Sequence, residues 1–174
     1  AGQRNVRQRN ADIADILQST IPGELRAYDP SFAFGGDGSM VLDHEICLVA
    51  GDLNYRLDMR RELVIQLIEQ QRYADLVNVD QLLQQMRENP HFRLRMFQEA
   101  PIHFAPTYKF NRLTNDFDTS EKARVPAYCD RILYRGHLPN VVQCTSYKRW
   151  DATLSDHRPV SATFTVRSKS IDTP

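Results

Sequence analysis

Asp156, His157 and Arg158 lead through Pro159 into VSATFTV, where Val160, Ala162, Phe164 and Val166 alternate with Ser161, Thr163 and Thr165. Alternation of this period puts one row of side chains on each face of a strand. The acid and the imidazole therefore sit where a loop feeds a sheet, a place that fixes a group and leaves it reachable. Taken alone, the stretch favours a plainer reading, a Ser-Asp turn with an exposed His. A second switch follows Ile46-Cys47-Leu48-Val49-Ala50, where Asp52, Asn54 and Arg56 come at alternate positions and share one face of an extended chain. A third lies in SEKARVPAYCDRILYR: Lys122 and Arg124 lead through Pro126 to Asp130, which opens the apolar run Ile132-Leu133-Tyr134.

Acids, an amide, an imidazole and the cations Lys109, Lys122, Arg124 and Arg158 make up the side chains that metal and phosphate chemistry uses. Hard ions such as Mg2+ take oxygen ligands, commonly one or two protein carboxylates plus the phosphate of the substrate, and polarise a phosphoryl oxygen while assisting a water nucleophile. A histidine there needs a partner to fix its tautomer, and an Asp is the natural one. Neither Cys47 nor Cys144 has an Arg six residues on, and Cys129, which does (Arg135), is separated from it by the apolar run Ile132-Leu133-Tyr134 and not by a phosphate-binding loop, which disfavours a cysteine nucleophile and leaves direct attack by water. Each residue also has a purely structural alternative: Asp52 and Asn54 as turn formers, Asp130-Arg131 as a surface pair, Lys109 as an edge-strand charge.

The elements that must position these groups read as follows. Val6, Ile13, Ile16 and Leu17 recur at helical spacing, so residues 5–17 form an amphipathic helix that Ile21-Pro22-Gly23 ends. Gly35, Gly36 and Gly38 mark a flexible loop; a phosphate-cradling loop is the sharper alternative, and no GK[ST] follows. The continuous run 46–50 marks a strand covered on both faces. MRRELVIQLIEQQRYADLV reads as one helix and VDQLLQQMREN as another stopped by Pro90, while the prolines of APIHFAPTYKFN predict extended chain with a strand at Tyr108 to Phe110. Strands and helices together make a layered α/β fold.

A chain of 174 residues, 41% hydrophobic, holds one core and one domain. Its 22 basic and 22 acidic residues cancel, which argues against a surface that tracks a polynucleotide. No run approaches a membrane span, and the N-terminus is polar from the start. Three cysteines without a CxxC pair fit a reducing compartment, with Cys47 a small core residue.

GDLNYR, PTYKF, KARVPAYCDRIL and SDHRPV, in this order, resemble the inositol polyphosphate 5-phosphatases, and the intervening pattern is similar to the synaptojanin-like branch of the endonuclease/exonuclease/phosphatase superfamily. The resemblance implies a DNase I-like layered α/β sandwich with mixed β-sheets, of which residues 1–168 would be the C-terminal half and 169–174 a tail. It implies Mg2+-dependent removal of the 5-phosphate from phosphoinositides, such as phosphatidylinositol 4,5-bisphosphate, and from soluble inositol polyphosphates. Asp52 would position or deprotonate the water, Asn54 and His157 would contact the scissile phosphate, Asp130 would orient His157, and Asp156 would lie beside the metal or water. Tyr108, Lys109, Lys122 and Arg124 would hold the 4-phosphate of the ring. The partners implied are phosphoinositide lipids and inositol phosphates, with no nucleic acid, in a cytoplasmic protein peripheral on the anionic cytosolic leaflet.

Val49 and Tyr128 stand where the family usually has Trp. The metal-binding Asn and Glu of the family, its first phosphate-contacting His and half of its central sheet would lie before Ala1, and neither Glu24 nor Glu45 has a matching context. The isolated chain is therefore expected to bind Mg2+ poorly, turn over little and expose apolar sheet. The rival readings are a metal-dependent nuclease of the same superfamily and a non-catalytic phosphoinositide-binding piece.

Overall fold

The structure is a computed structural model that describes residues 2–19 and 38–168. The first helix, α1 (Val6–Gln18), buries Ile13 and Leu17, one turn apart, and leaves Ile16 outward. It stops at Ser19, whose backbone N–H donates to the carbonyls of Asp15 and Ile16. The expected stop at Ile21-Pro22-Gly23, the glycines Gly35 and Gly36, and the tail 169–174 lie outside the described residues.

Strands β1 (Ile46–Asp52), β2 (Gln98–Glu99) and β3 (Asp130–Gly136) form one sheet in the order β1-β3-β2. Strands β4 (Val142–Arg149) and β5 (Val160–Val166) form a second, with a bulge between Cys144 and Ser146. Every pairing between these strands is antiparallel. Cys47 is buried and Val49 packs beside it against Ile13, Leu17, Phe92, Leu94 and Leu133, the core that α1 closes. The expectation that β1 is covered on both faces does not hold among the described residues. Leu48 is 56% exposed and Ala50 is exposed as well, because successive residues face opposite ways and the core lies on the Cys47 side alone.

The stretch read as a single long helix is two, α2 (Arg61–Glu69) and α3 (Tyr73–Asn78). Gln71 between them has φ 56°, a left-handed conformation that an α-helix of L-residues does not carry. The helix expected at VDQLLQQMREN, α4 (Gln81–Glu88), starts on Asp80, whose carboxylate accepts the Leu83 N–H at 3.0 Å, the usual way to satisfy an orphan donor of the first turn. Helices α2 and α3 cover a second core built on Leu57, Val64, Leu76, Ile102, Ala127, Tyr128 and Cys129, whereas α4 sends Leu82 into the first.

Tyr108 to Phe110 is extended but is not a strand. Tyr108 bridges both Ala127 and His157, whereas Phe110 bridges Phe117. The partner changes within two residues, so no ladder repeats. The same geometry stitches this segment between two others: the Tyr108 and Ala127 N–H groups donate to each other's carbonyls at 3.1 and 2.7 Å, while the Arg158 N–H donates to Thr107 and the Phe110 N–H to Asp156.

Candidate active site

The β1/β3 register sets Asp52 directly opposite Asp130. Past the end of β1 the chain turns sharply: the Asp52 carboxylate accepts the Asn54 N–H at 2.9 Å, and Asn54 takes φ 60°, a conformation that Asn tolerates better than most residues. Arg56 donates to the Asn54 carbonyl at 3.1 Å and to its side-chain oxygen. That contact fixes the amide, with its oxygen on Arg56 and its NH2 3.4 Å from Asp52 Oδ2.

His157 approaches from the loop before β5. Its Nδ1 donates to Asp130, 2.9 Å from Oδ2 and 3.1 Å from Oδ1, and the Thr107 hydroxyl donates to the same Oδ2 at 2.6 Å. Two donors on one carboxylate set its direction, and the carboxylate in turn sets the imidazole tautomer and leaves Nε2 as the outward nitrogen. The Asp130 hydrogen bond raises the His157 pKa above its ordinary value; burial opposes this, and the charges of Asp130, Asp52 and Asp156 add to the rise. The side chains of His157 and Asp130 remain 27% and 17% exposed, so the pair is held without being sealed from solvent.

The Tyr108 ring lies 4.6 Å from the imidazole at an interplanar angle of 42°, and the Arg56 guanidinium lies 4.6 Å over that same ring. Lys109 Nζ stands 3.9 Å from Asp156 Oδ2. Lys122 and Arg124 line a cavity of about 520 Å3 together with Arg56, Asp58 and Arg60, so Arg56 connects the basic cavity to the Tyr108-His157 pair. The structure thus gathers Asp52, Asn54, Asp130, Asp156, His157, Tyr108 and Lys109 around the ends of β1 and β3 and places Lys122 and Arg124 on the adjoining cavity.

One expectation and one structural alternative do not hold. Arg158 is no free phosphate-binding cation: it is fully buried, donates to the carbonyls of Ser155 and Thr114, and stacks 3.9 Å from the Phe110 ring. It braces the His157 loop from behind. Asp130 and Arg131 are not a surface pair either, since the Arg131 side chain is fully buried between Asp80 and Glu99. Sequence reasoning missed Thr107 and the bracing role of Arg56. The available signal was spacing, because Thr107 precedes Lys109 by two positions in PTYKF and Arg56 follows Asn54 by two in GDLNYR.

Among the described residues, no group of three or more His, Cys, Asp or Glu is placed to hold a metal ion. Asp156 is paired there with a cation, Lys109. No helix among the described residues is long and apolar enough to cross a membrane.

The probable inositol polyphosphate 5-phosphatase of Schizosaccharomyces pombe is 44% identical to this chain over 175 residues, covering 99% of the chain and 15% of that protein. Human Synaptojanin-1 is 35% identical, covering 99% of the chain and 10% of its own length. Among solved structures, the inositol polyphosphate 5-phosphatase domain of SPsynaptojanin, in complex with inositol (1,4)-bisphosphate and calcium ion, superposes with a TM-score of 0.78 at 37% identity over 95% of this chain and 44% of that one. A Cimex nitrophorin in its ferrous NO complex shares the fold at a TM-score of 0.64 and 28% identity, over 79% of this chain and 46% of its own. The chain therefore spans less than half of each of these proteins. The nitrophorin also shows that this fold by itself does not decide function. The model of Endonuclease/Exonuclease/phosphatase family 2 matches residues 1–163: the chain belongs to that family and, within it, to the inositol polyphosphate 5-phosphatase group.

Proposed function

We propose that the protein hydrolyses the 5-phosphate monoester of phosphoinositides and of soluble inositol polyphosphates by direct attack of water. The observation that carries this reading is the His157-Asp130 contact at 2.9 Å, mounted on the strand end that faces Asp52. Asp52, exposed at the end of β1, orients the attacking water and takes its proton, while the ester P–O bond breaks and the departing ring oxygen takes a proton from solvent. The NH2 of Asn54, turned away from Arg56 by the contact to its oxygen, donates to a non-bridging phosphate oxygen. His157 presents Nε2–H to the charge that grows on the phosphoryl group, and Asp130 holds the ring so that no reorganisation is needed as that charge appears. Because the hydrogen bond to Asp130, with the nearby carboxylate charges, raises the His157 pKa, the imidazolium persists above the usual histidine range.

Tyr108, Lys109, Lys122 and Arg124 hold the neighbouring ring phosphate. A second anchored phosphate converts a general hydrolase into one that selects a ring position. The ion we propose is Mg2+, which would supply Lewis-acid neutralisation when bound, with Asp156 as the one described residue that would hold it. With that single ligand, the 174-residue chain by itself turns over little. The setting is the cytosolic leaflet, where anionic lipid attracts the basic cavity and the chain stays peripheral.

The test uses purified full-length protein, vesicles containing phosphatidylinositol 4,5-bisphosphate, Mg2+, and supercoiled DNA in parallel. Steady phosphate release that stops on chelation, with the DNA left intact, is the expected result. DNA nicking without phosphate release would convert the reading to a nuclease, and lipid binding without turnover would convert it to a binding module.

A further inference from the structure

Asp118 is buried, with 1% of its surface exposed, and it lies outside every role assigned above. Its carboxylate brackets the segment that carries the cavity cations: Oδ1 accepts the Ser120 N–H and Oδ2 the Arg124 N–H, both at 3.0 Å. Between these two anchors the chain closes a tight turn, with the Ala123 N–H donating to the Ser120 carbonyl at 2.8 Å and Ala123 at φ 35°, a conformation that a residue with a Cβ holds only when its surroundings require it. The Asp118 backbone reaches the other side of the grip, since its N–H donates to the Lys109 carbonyl at 2.8 Å and its own carbonyl accepts from Arg61 at 2.8 Å.

We infer that Asp118 is a positioning residue for ring-phosphate recognition: it touches no substrate, yet it holds the turn bearing Lys122 and Arg124 and ties that turn to Lys109. The inference rests on the proposed grip of those cations on a phosphate next to the scissile one. Its chemistry is that of an anion. A carboxylate has only acceptors and satisfies both backbone donors at once, whereas an amide of the same shape turns an NH2 toward one of them. Burial alone would push the Asp118 carboxyl up, but the donors from Arg124 and Ser120, together with the Lys109 charge, hold it below the ordinary carboxylate range. It therefore remains an anion wherever the enzyme works.

Asp118→Asn in the full-length protein, assayed on inositol 4,5-bisphosphate and on inositol 5-phosphate, separates this role from a merely structural one. The expected result is a KM for the bisphosphate about tenfold higher, as fits a charge-assisted hydrogen bond lost from the turn, with kcat nearly unchanged and the 5-phosphate hardly affected. Lys122→Ala serves as the reference for the grip itself. If Lys122→Ala loses the preference and Asp118→Asn keeps it, the positioning role is wrong while the grip stands. If neither variant loses it, grip and positioning role fall together. Asp118→Glu keeps the charge with a longer reach and covers the case in which the amide variant does not fold; it should show a smaller loss of the same preference, and full retention of the wild-type preference would overturn the inference.

Discussion

Asp130 and Arg131 are neighbours in β3 and lead opposite lives. Arg131 points into the protein, where it donates to Asp80 at 2.9 and 3.0 Å and to Glu99 at 2.8 and 2.6 Å, with no exposed side-chain surface. Tyr147 closes the cluster by donating to Glu99 at 3.0 Å. Burial alone would lower the Arg131 pKa, but the two carboxylates hold it well above its ordinary value, so the guanidinium stays charged. Asp130 points the other way and meets an imidazole that water still reaches. The same residue types serve as scaffold where they are sealed and fully paired, and as a site where one nitrogen of the pair is left facing outward. What separates the two roles is how completely the donors and acceptors are used up.

The largest effect expected from this contrast is on the sealed side. Arg131→Leu leaves Asp80 and Glu99 buried without their partner and should destabilise the fold by about 3–5 kcal/mol, read as a lowered midpoint in urea denaturation. A change under about 1 kcal/mol would mean that the carboxylates find water or protons instead. On the open side, pH is the lever. The folded His157 pKa is raised, so both the imidazolium and its small stabilising contribution are complete below the unfolded value near 6.5, and both are lost as pH rises through the folded value. The rate constant kcat/KM should therefore hold flat past pH 6.5 and then fall about tenfold per pH unit. A fall that begins at or below 6.5 would show that the pair does not act as drawn. The smallest effect is expected at Thr107→Val, which removes one donor from Asp130 and should lower kcat roughly fivefold, the equivalent of about 1 kcal/mol, with the pH limb moved less than by changes at Asp130.

Much of this contrast is legible in the amino-acid sequence. The polar switches at Asp52, Asp130 and Asp156 do mark the ends of β1, the start of β3 and the loop into β5, because an apolar run that turns abruptly polar is where a buried strand leaves the core. The helix at 6–18 and the core position of Cys47 followed from the same patterning. The break at Gln71 was invisible, since a left-handed residue inside a helical pattern needs no Gly or Pro to announce it. The open face of β1 was also missed, because a continuous apolar run records only which side chains tolerate burial. The Asp80-Arg131-Glu99 cluster joins residues 51 and 32 positions apart, and the Thr107-Asp130 contact spans 23; no local period encodes such pairs. Asp118 was hidden for a different reason, as a buried acid in a polar loop reads like any solvated turn former.

The account rests on His157 and Asp130 working as one unit on a single phosphoester. A double-mutant cycle of His157→Ala and Asp130→Asn in the full-length protein, followed by phosphate release from phosphatidylinositol 4,5-bisphosphate, tests that most directly. Each single change should lower kcat, by about 10²–10⁴-fold for His157→Ala, and the double variant should be no slower than His157→Ala alone. Losses that multiply, or a His157→Ala variant that keeps its rate, would contradict it.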